Sequence, residues 1–262
     1  MILLSFDIEE FDMPIEYGKT INFEEQILIS KIGTSIILDI LKKHKIKATF
    51  FSTVVFAQNA PEIIKKIVDD GHEIASHTYY HSKFEVADLL KSKQALEQQT
   101  GQKVLGFRMP RMQPVDEKEI FKAGYTYNSS INPTYLPGRY NNFNKPRTYF
   151  IQENVLQIPA SVTPIVRFPL FWLSFHNLHL KLYLWLCHWT LKTDGYLNIY
   201  FHPWEFTNLD QKEKYNFPDY VSKNTGKKMA ARLDYFISHL KNKNHPFGTF
   251  QQFIEKKVTI DG

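Results

Sequence analysis

The chain has 262 residues, 43% of them hydrophobic and 15% aromatic, and its 32 basic and 27 acidic residues give a formal net charge of +5. That length and apolar content suit one domain with a full core, expected over residues 1–262, and exclude a disordered chain. The charges are mixed, with no long basic run and no nucleic-acid motif, so no nucleic-acid partner is expected, and the lone Cys187 excludes an intramolecular disulfide.

The N-terminal MILLSFDIEEFD lacks a basic leader region and meets acids by Asp7. It reads as a first strand and not as a signal peptide, which makes the cytoplasm the expected location. FEEQILISKIGTSIILDILKKHK carries apolar residues at helical spacing and ends in lysines. IKATFFSTVVF is β-rich, APEIIKKIVDDG reads as a short helix, HEIASH as a strand and SKFEVADLLKSKQALEQQTG as a helix ending at Gly101. KVLGFRMP is a strand, VDEKEIFKAG a helix and YTYNSS a short strand. The alternation implies an α/β fold of parallel strands with covering helices. SSINPTYLPGRYNNFNKPRTY, rich in Pro, Asn and Gly, reads as a long loop of the kind that forms lids or binding surfaces.

VLQIPAS follows as a strand, then the aromatic segment PLFWLSFHNLHLKLYLWLCHWTLK. His176, His179, Lys181 and His188 interrupt it, which argues against a transmembrane span and for an amphipathic helix. Residues 170–190 leave three roles open: an oligomer interface, a membrane-peripheral contact, or core. YLNIYFHPWEF is a strand ending in His-Pro-Trp, GKKMAARLDYFISHLKNK a helix, and PFGTF and QQFIEKKV close the chain.

Candidate chemistry falls at strand ends, where β/α folds gather their functional groups. Asp7 and Glu9 end the first strand, His77 ends HEIASH, Arg108 follows KVLGF and His202 follows LNIYF. In extended chain Asp7 and Glu9 point to one side and Ile8 to the other. A metal ion would separate the roles of the two acids, one ligating and one free as a base; the competing reading of DIEEFD is a solvated acidic loop. His77 and His81 are spaced to share one side of a helical turn, as in zinc sites. Glu9, His77 and His81 would make a two-His, one-carboxylate site with open positions, the catalytic kind. HNLH, with His176 and His179, has similar spacing but no nearby acid, and reads as structural.

SFDIEEF, GHEIASHTYYH, GFRMP, GYTYNSSINP and IYFHPWEF, taken together and in this order, resemble the NodB-homology polysaccharide deacetylases, in the branch whose first motif is Asp-x-Glu. The resemblance runs from about Ser5 to Phe206. It implies a distorted, incomplete (β/α) barrel of about seven parallel strands. It also implies metal-dependent removal of acetyl groups from an N- or O-acetylated polysaccharide or oligosaccharide. Carried over by position, Asp7 is the general base, Glu9, His77 and His81 hold one divalent ion, zinc in most relatives, and Arg108 orients the base. The backbone N–H of Arg111 helps hold the oxyanion, and His202 is the general acid. Trp204 either stacks on a sugar or fills core. Two departures stand out. The commoner first motif has adjacent aspartates, whereas here the acids are separated and the ligand would be Glu, so Glu10 rivals Glu9 although period two favours Glu9. Asn128 occupies the usual place of an aspartate, where it could still accept a hydrogen bond from Arg108. Two other readings are an amidase of the same fold acting on a small non-sugar amide, and a catalytically weak carbohydrate-binding relic.

Overall fold

A computed structural model describes residues 1–261. Its strands are β1 (Ile2–Ile8), β2 (Thr49–Ser52), β3 (Glu73–Ser76), β4 (Gly106–Phe107), β5 (Tyr127–Asn128), β6 (Tyr135–Leu136), β7 (Tyr140–Asn141), β8 (Phe150–Gln152), β9 (Val155–Gln157), β10 (Leu197–Phe201) and β11 (Phe247–Gly248). The main sheet runs β10-β1-β2-β3-β4-β5-β9-β8, and β11 also pairs with β1. Every pairing in it is parallel except β8 with β9. The sheet does not close on itself, so the fold is an α/β half-barrel whose path holds seven parallel strands.

Both faces of β1 are buried, which is why its sequence is apolar almost throughout. Ile2, Leu4, Phe6 and Ile8 belong to the large cluster under the helices. Leu3 belongs to a smaller cluster with Phe51, Ala75, Tyr127, Phe250 and Phe253. Strand alternation therefore places Ser5 and Asp7 on the same inner face as Leu3. The inner face is apolar where the C-terminal helix Phe250–Asp261 plugs one end, and acidic at the other.

The helix Phe23–His44 begins as its sequence suggests. The Asn22 side chain accepts from the Glu25 N–H at 2.8 Å, and Lys45 closes the helix in the left-handed conformation. Gly33 sits in its middle, at a cost of about 1 kcal/mol against alanine. A Cβ there would lie 1.9 Å from the Pro203 carbonyl oxygen. The glycine lets this helix press directly on the turn that follows His202.

Four local expectations change. IKATFFSTVVF is strand only over Thr49–Ser52; Thr53 then caps a helix, Val54–Asn59, by accepting from the Phe56 N–H at 3.1 Å. The helix after His81 starts only at Ala87. The long loop contains the small β6–β7 hairpin. The aromatic segment is two helices, Trp172–Asn177 and Leu180–Asp194, because Leu178 is extended. Phe175, Tyr183, Leu184 and Cys187 of that segment are core, while Leu182 and Trp185 face out. Among the described residues no helix is long and apolar enough to cross a membrane.

Candidate active site

Strands β1, β3, β4 and β10 run parallel, so their C-terminal ends open on one cavity of about 400 Å³. Asp7, Glu9, His77, His81 and His202 all line it. The volume is within the range of small-ligand sites.

His77 leaves the end of β3, but the two histidines do not share a helical turn. The chain reverses at Thr78, whose φ of 70° is a strained value for a β-branched residue. The first turn of the Val54–Asn59 helix holds this reversal: the Val54 N–H donates to Thr78 O at 3.2 Å and the Val55 N–H to Tyr79 O at 3.1 Å. The loop thereby turns both imidazoles inward. His77 Nε2 is 3.0 Å and His81 Nε2 3.1 Å from the same oxygen, Glu9 Oε2. Among the described residues these three form the one group of His, Cys, Asp or Glu side chains whose donor atoms all lie within 4.8 Å of one another.

The second nitrogen of each ring is engaged. His77 Nδ1 is 2.8 Å from Arg108 O, and His81 Nδ1 is 2.7 Å from Asp12 Oδ1. That arrangement fixes tautomers that present both Nε2 lone pairs to the cavity, as metal-ligating histidines do. Burial pushes the His77 imidazole down to about 4, so it stands neutral and ready to donate a lone pair. Burial pushes Glu9 the other way, up to about 7. A buried carboxyl group facing two imidazole Nε2 atoms fits a divalent cation in chemistry and in number of donors. Glu10 is turned elsewhere: its Oε2 accepts from Thr53 Oγ1 at 2.5 Å.

Asp7 is 3% exposed and pairs with Arg108, Nη1 to Oδ1 2.6 Å. Burial opposes its ionisation, but the Arg108 charge, helped by His77 and His202, holds the carboxyl below its usual value. Arg108 is itself fully buried, its guanidinium 4.0 Å from the centre of the Phe51 ring and 5.2 Å from that of Tyr200. Asn128 does not meet it. Arg108 donates instead to Ser129 O and Ser129 Oγ, each at 3.0 Å. Asn128 binds Gln157 Oε1 and Ser130 Oγ, and lies outside the cavity lining. β5 points successive side chains to opposite sides, so the residue after Asn128, and not Asn128, reaches the arginine.

His202 Nε2 lies 4.0 Å from Asp7 Oδ2. Its Nδ1 is 2.9 Å from Glu205 Oε1, and its backbone N–H donates to the same oxygen at 2.6 Å. Burial works against the imidazolium, but Glu205, Glu9 and Asp7 outweigh it and raise the His202 pKa. Glu205 Oε2 in turn meets His176 Nε2 at 2.8 Å. Trp204 is 2% exposed; its ring stacks on His202 at 5.1 Å and meets Trp172 edge-on at 5.2 Å. One of its faces is thus taken by the histidine. Arg111, at φ 56°, lines the cavity, and its side chain reaches Glu16, Asp12 and the His81 carbonyl.

Asp12, Glu205 and His176 were not singled out as functional from the sequence. Asp12 offered a signal, as the next acid after Glu9 and Glu10 in a motif already read as acidic. Glu205 did too, three residues after His202. His176 offered none, because its partner is distant in the chain.

Residues 21–127 match the polysaccharide deacetylase family model. The chain is 44% identical over 45 residues to peptidoglycan-N-acetylmuramic acid deacetylase PdaA of Bacillus subtilis, covering 17% of each protein. It is 29% identical over 114 residues to a peptidoglycan deacetylase of Helicobacter pylori, covering 40% of this chain and 39% of that one. The curated relatives are thus matched over well under half their length. A solved structure from Mycobacterium smegmatis, assigned as a polysaccharide deacetylase, shares the fold with a TM-score of 0.68 at 18% identity, over 99% of this chain and 90% of that one. A Bacillus anthracis protein described as a pseudoenzyme of family CE4 shares it with a TM-score of 0.52 at 17% identity, over 96% of this chain and 64% of that one, so the fold alone does not imply activity. The matched segment, the shared fold and the strand-end residues agree with one another: residues 21–127 are similar to the polysaccharide deacetylase family, and the chain has the fold of solved structures assigned to it.

Proposed function

We propose that this protein hydrolyses acetyl groups from an acetylated carbohydrate, with one divalent metal ion, zinc by preference, held by Glu9, His77 and His81. The observation that carries the reading is the convergence of two imidazole Nε2 atoms on one Glu9 oxygen, beside an arginine-bound Asp7 that no imidazole contacts within hydrogen-bond distance. When bound, the ion would polarise the acyl oxygen and acidify a water molecule.

The chain's own groups do the rest. Asp7 takes the proton of the attacking water, and Arg108 both aims its carboxylate and keeps it ionised. His202 delivers a proton to the departing nitrogen, with Glu205 holding Nδ1 so that Nε2 faces the cavity. The backbone N–H of Arg111 is the proposed donor to the acyl oxygen as it gains charge. Each positioned proton transfer is worth roughly 10²–10⁴-fold in rate. The peptidoglycan and chitooligosaccharide deacetylases among the relatives point to N-acetylated sugars as the first substrates to try.

The test is acetate release from a panel of N- and O-acetylated oligosaccharides, with metal added and with metal chelated. Activity should require metal, and Asp7→Asn should keep the metal but lose about 10²–10⁴-fold in kcat. Metal bound without acetate release from any sugar would favour the small-amide reading; no metal bound would favour a carbohydrate-binding relic.

A further inference from the structure

Just before Phe171, Trp172 and Leu173, which line the cavity, a short loop pushes aliphatic side chains into solvent. Val162 and Pro169 bridge antiparallel, and the Thr163 N–H donates to Phe168 O at 2.9 Å, closing a narrow tip. At that tip Ile165 is 83% and Val166 65% exposed. Ile165 has φ 66° and Arg167 φ 53°. A β-branched residue at positive φ is a genuine outlier, so this conformation persists only because its surroundings impose it.

Arg167 imposes it. Its Nη1 donates to Pro133 O at 3.1 Å and to Lys145 O at 2.7 Å, and its own carbonyl accepts from Thr134 Oγ1 at 2.7 Å. Its guanidinium lies 5.0 Å from the centre of the Phe143 ring. The tip is therefore fastened to the segment carrying the exposed rings of Tyr135 and Phe143. The β6–β7 hairpin of that segment lines the cavity through Leu136, Pro137, Arg139 and Tyr140. Single exposed apolar residues are ordinary; several on one braced scaffold beside a site are not.

The chemistry of the patch selects its occupant. Sugars are gripped by flat rings and hydrogen-bonding groups, and Ile165 and Val166 offer neither. A stable protein interface buries about 800 Å² per partner, far more than a two-residue tip supplies. A bilayer asks only for a shallow aliphatic wedge, aromatic rings at headgroup depth and basic residues beside it. Residues 133–170 carry Arg139, Lys145, Arg147 and Arg167 against one acid, Glu153; of these Arg147 is paired with Asp194 and half-exposed Arg139 lies 3.9 Å from Glu16. We propose that the Ile165–Val166 tip, flanked by Tyr135 and Phe143, inserts into the surface of an anionic lipid bilayer and sets the cavity mouth against it. Docking is independent of the deacetylase reading; combined with that reading, it makes the substrate a membrane-borne acetylated sugar.

The experiment is co-sedimentation of the full chain with equimolar phosphatidylcholine–phosphatidylglycerol vesicles and with phosphatidylcholine alone. The parent should bind the anionic vesicles, more weakly at high salt, and Ile165→Asp/Val166→Asp should lower its partition at least about tenfold. Ile165→Ser/Val166→Ser, which adds no charge, should lose most of the binding too, whereas Trp185→Ser on the other exposed aromatic face should not. Circular dichroism of each variant should match the parent. No binding by the parent, equal binding by both tip variants, or loss in Trp185→Ser alone would overturn the proposal. A fall in solution mass on mutating the tip would also overturn it, by making the tip a contact between copies. Acetate release from a soluble oligosaccharide should be unchanged in the tip variants; a parent that binds vesicles but releases no acetate from any acetylated sugar, soluble or vesicle-borne, would sink the deacetylase reading and leave the docking intact.

Discussion

Two histidine pairs of similar spacing, His77 with His81 and His176 with His179, end in opposite surroundings. In the first pair both Nδ1 atoms are tied down and both Nε2 atoms meet at Glu9 Oε2. In the second, His179 is exposed at the start of the Leu180–Asp194 helix, and buried His176 spends its Nε2 on Glu205. Spacing does not distinguish them; the partner of the other ring nitrogen, and what the free one faces, does. Yet His176 is not idle. It occupies one oxygen of Glu205 while His202 takes the other, so the pair read as structural supports the proposed acid.

The sharpest way to break this contrast is metal retention. His77→Ala and His81→Ala should each lose most bound metal in elemental analysis of the purified protein, and His179→Ala should lose none. Retention in the first two at the parent's level would mean the ligands are elsewhere. Next comes His202→Ala, which should cost roughly 10²–10⁴-fold on an N-acetyl sugar and far less on an activated aryl acetate, whose leaving group needs no proton. Equal losses on the two substrates would remove the proton-donor role.

Asp12→Ala should weaken metal affinity by about 10–100-fold, since it leaves His81 Nδ1 without its carboxylate. A metal-binding titration that matches the parent would show that the Asp12 contact does not prepare the ligand. The smallest effect belongs to His176→Gln. It should reduce kcat on an N-acetyl sugar by about tenfold, leave metal content unchanged and leave the aryl acetate rate nearly unchanged, because it acts only through Glu205 and His202. A loss shared by both substrates would indicate a general packing defect.

Much of this was legible in the chain itself, because strand order places the ends of β1, β3, β4 and β10 at one rim, and period two separates Asp7 and Glu9 from Ile8. Local rules also located the Phe23–His44 helix, from its apolar spacing and terminal lysines. Hydrogen-bond partners distant in sequence were not legible. Arg108 bonds Ser129 and not Asn128, Glu10 bonds Thr53 and not a ligand site, and Asp12 reaches across to His81. Nor does local propensity reveal that Val54–Asn59 is helical despite its β-rich composition, or that Thr78 and Ile165 are held at positive φ. Periodicity and composition are properties of neighbours along the chain and determine which face a side chain takes. Which buried polar atom it meets there depends on how separate elements pack, and only the tertiary structure decides that, because an unpaired polar group in the interior costs more than the local preference it overrides.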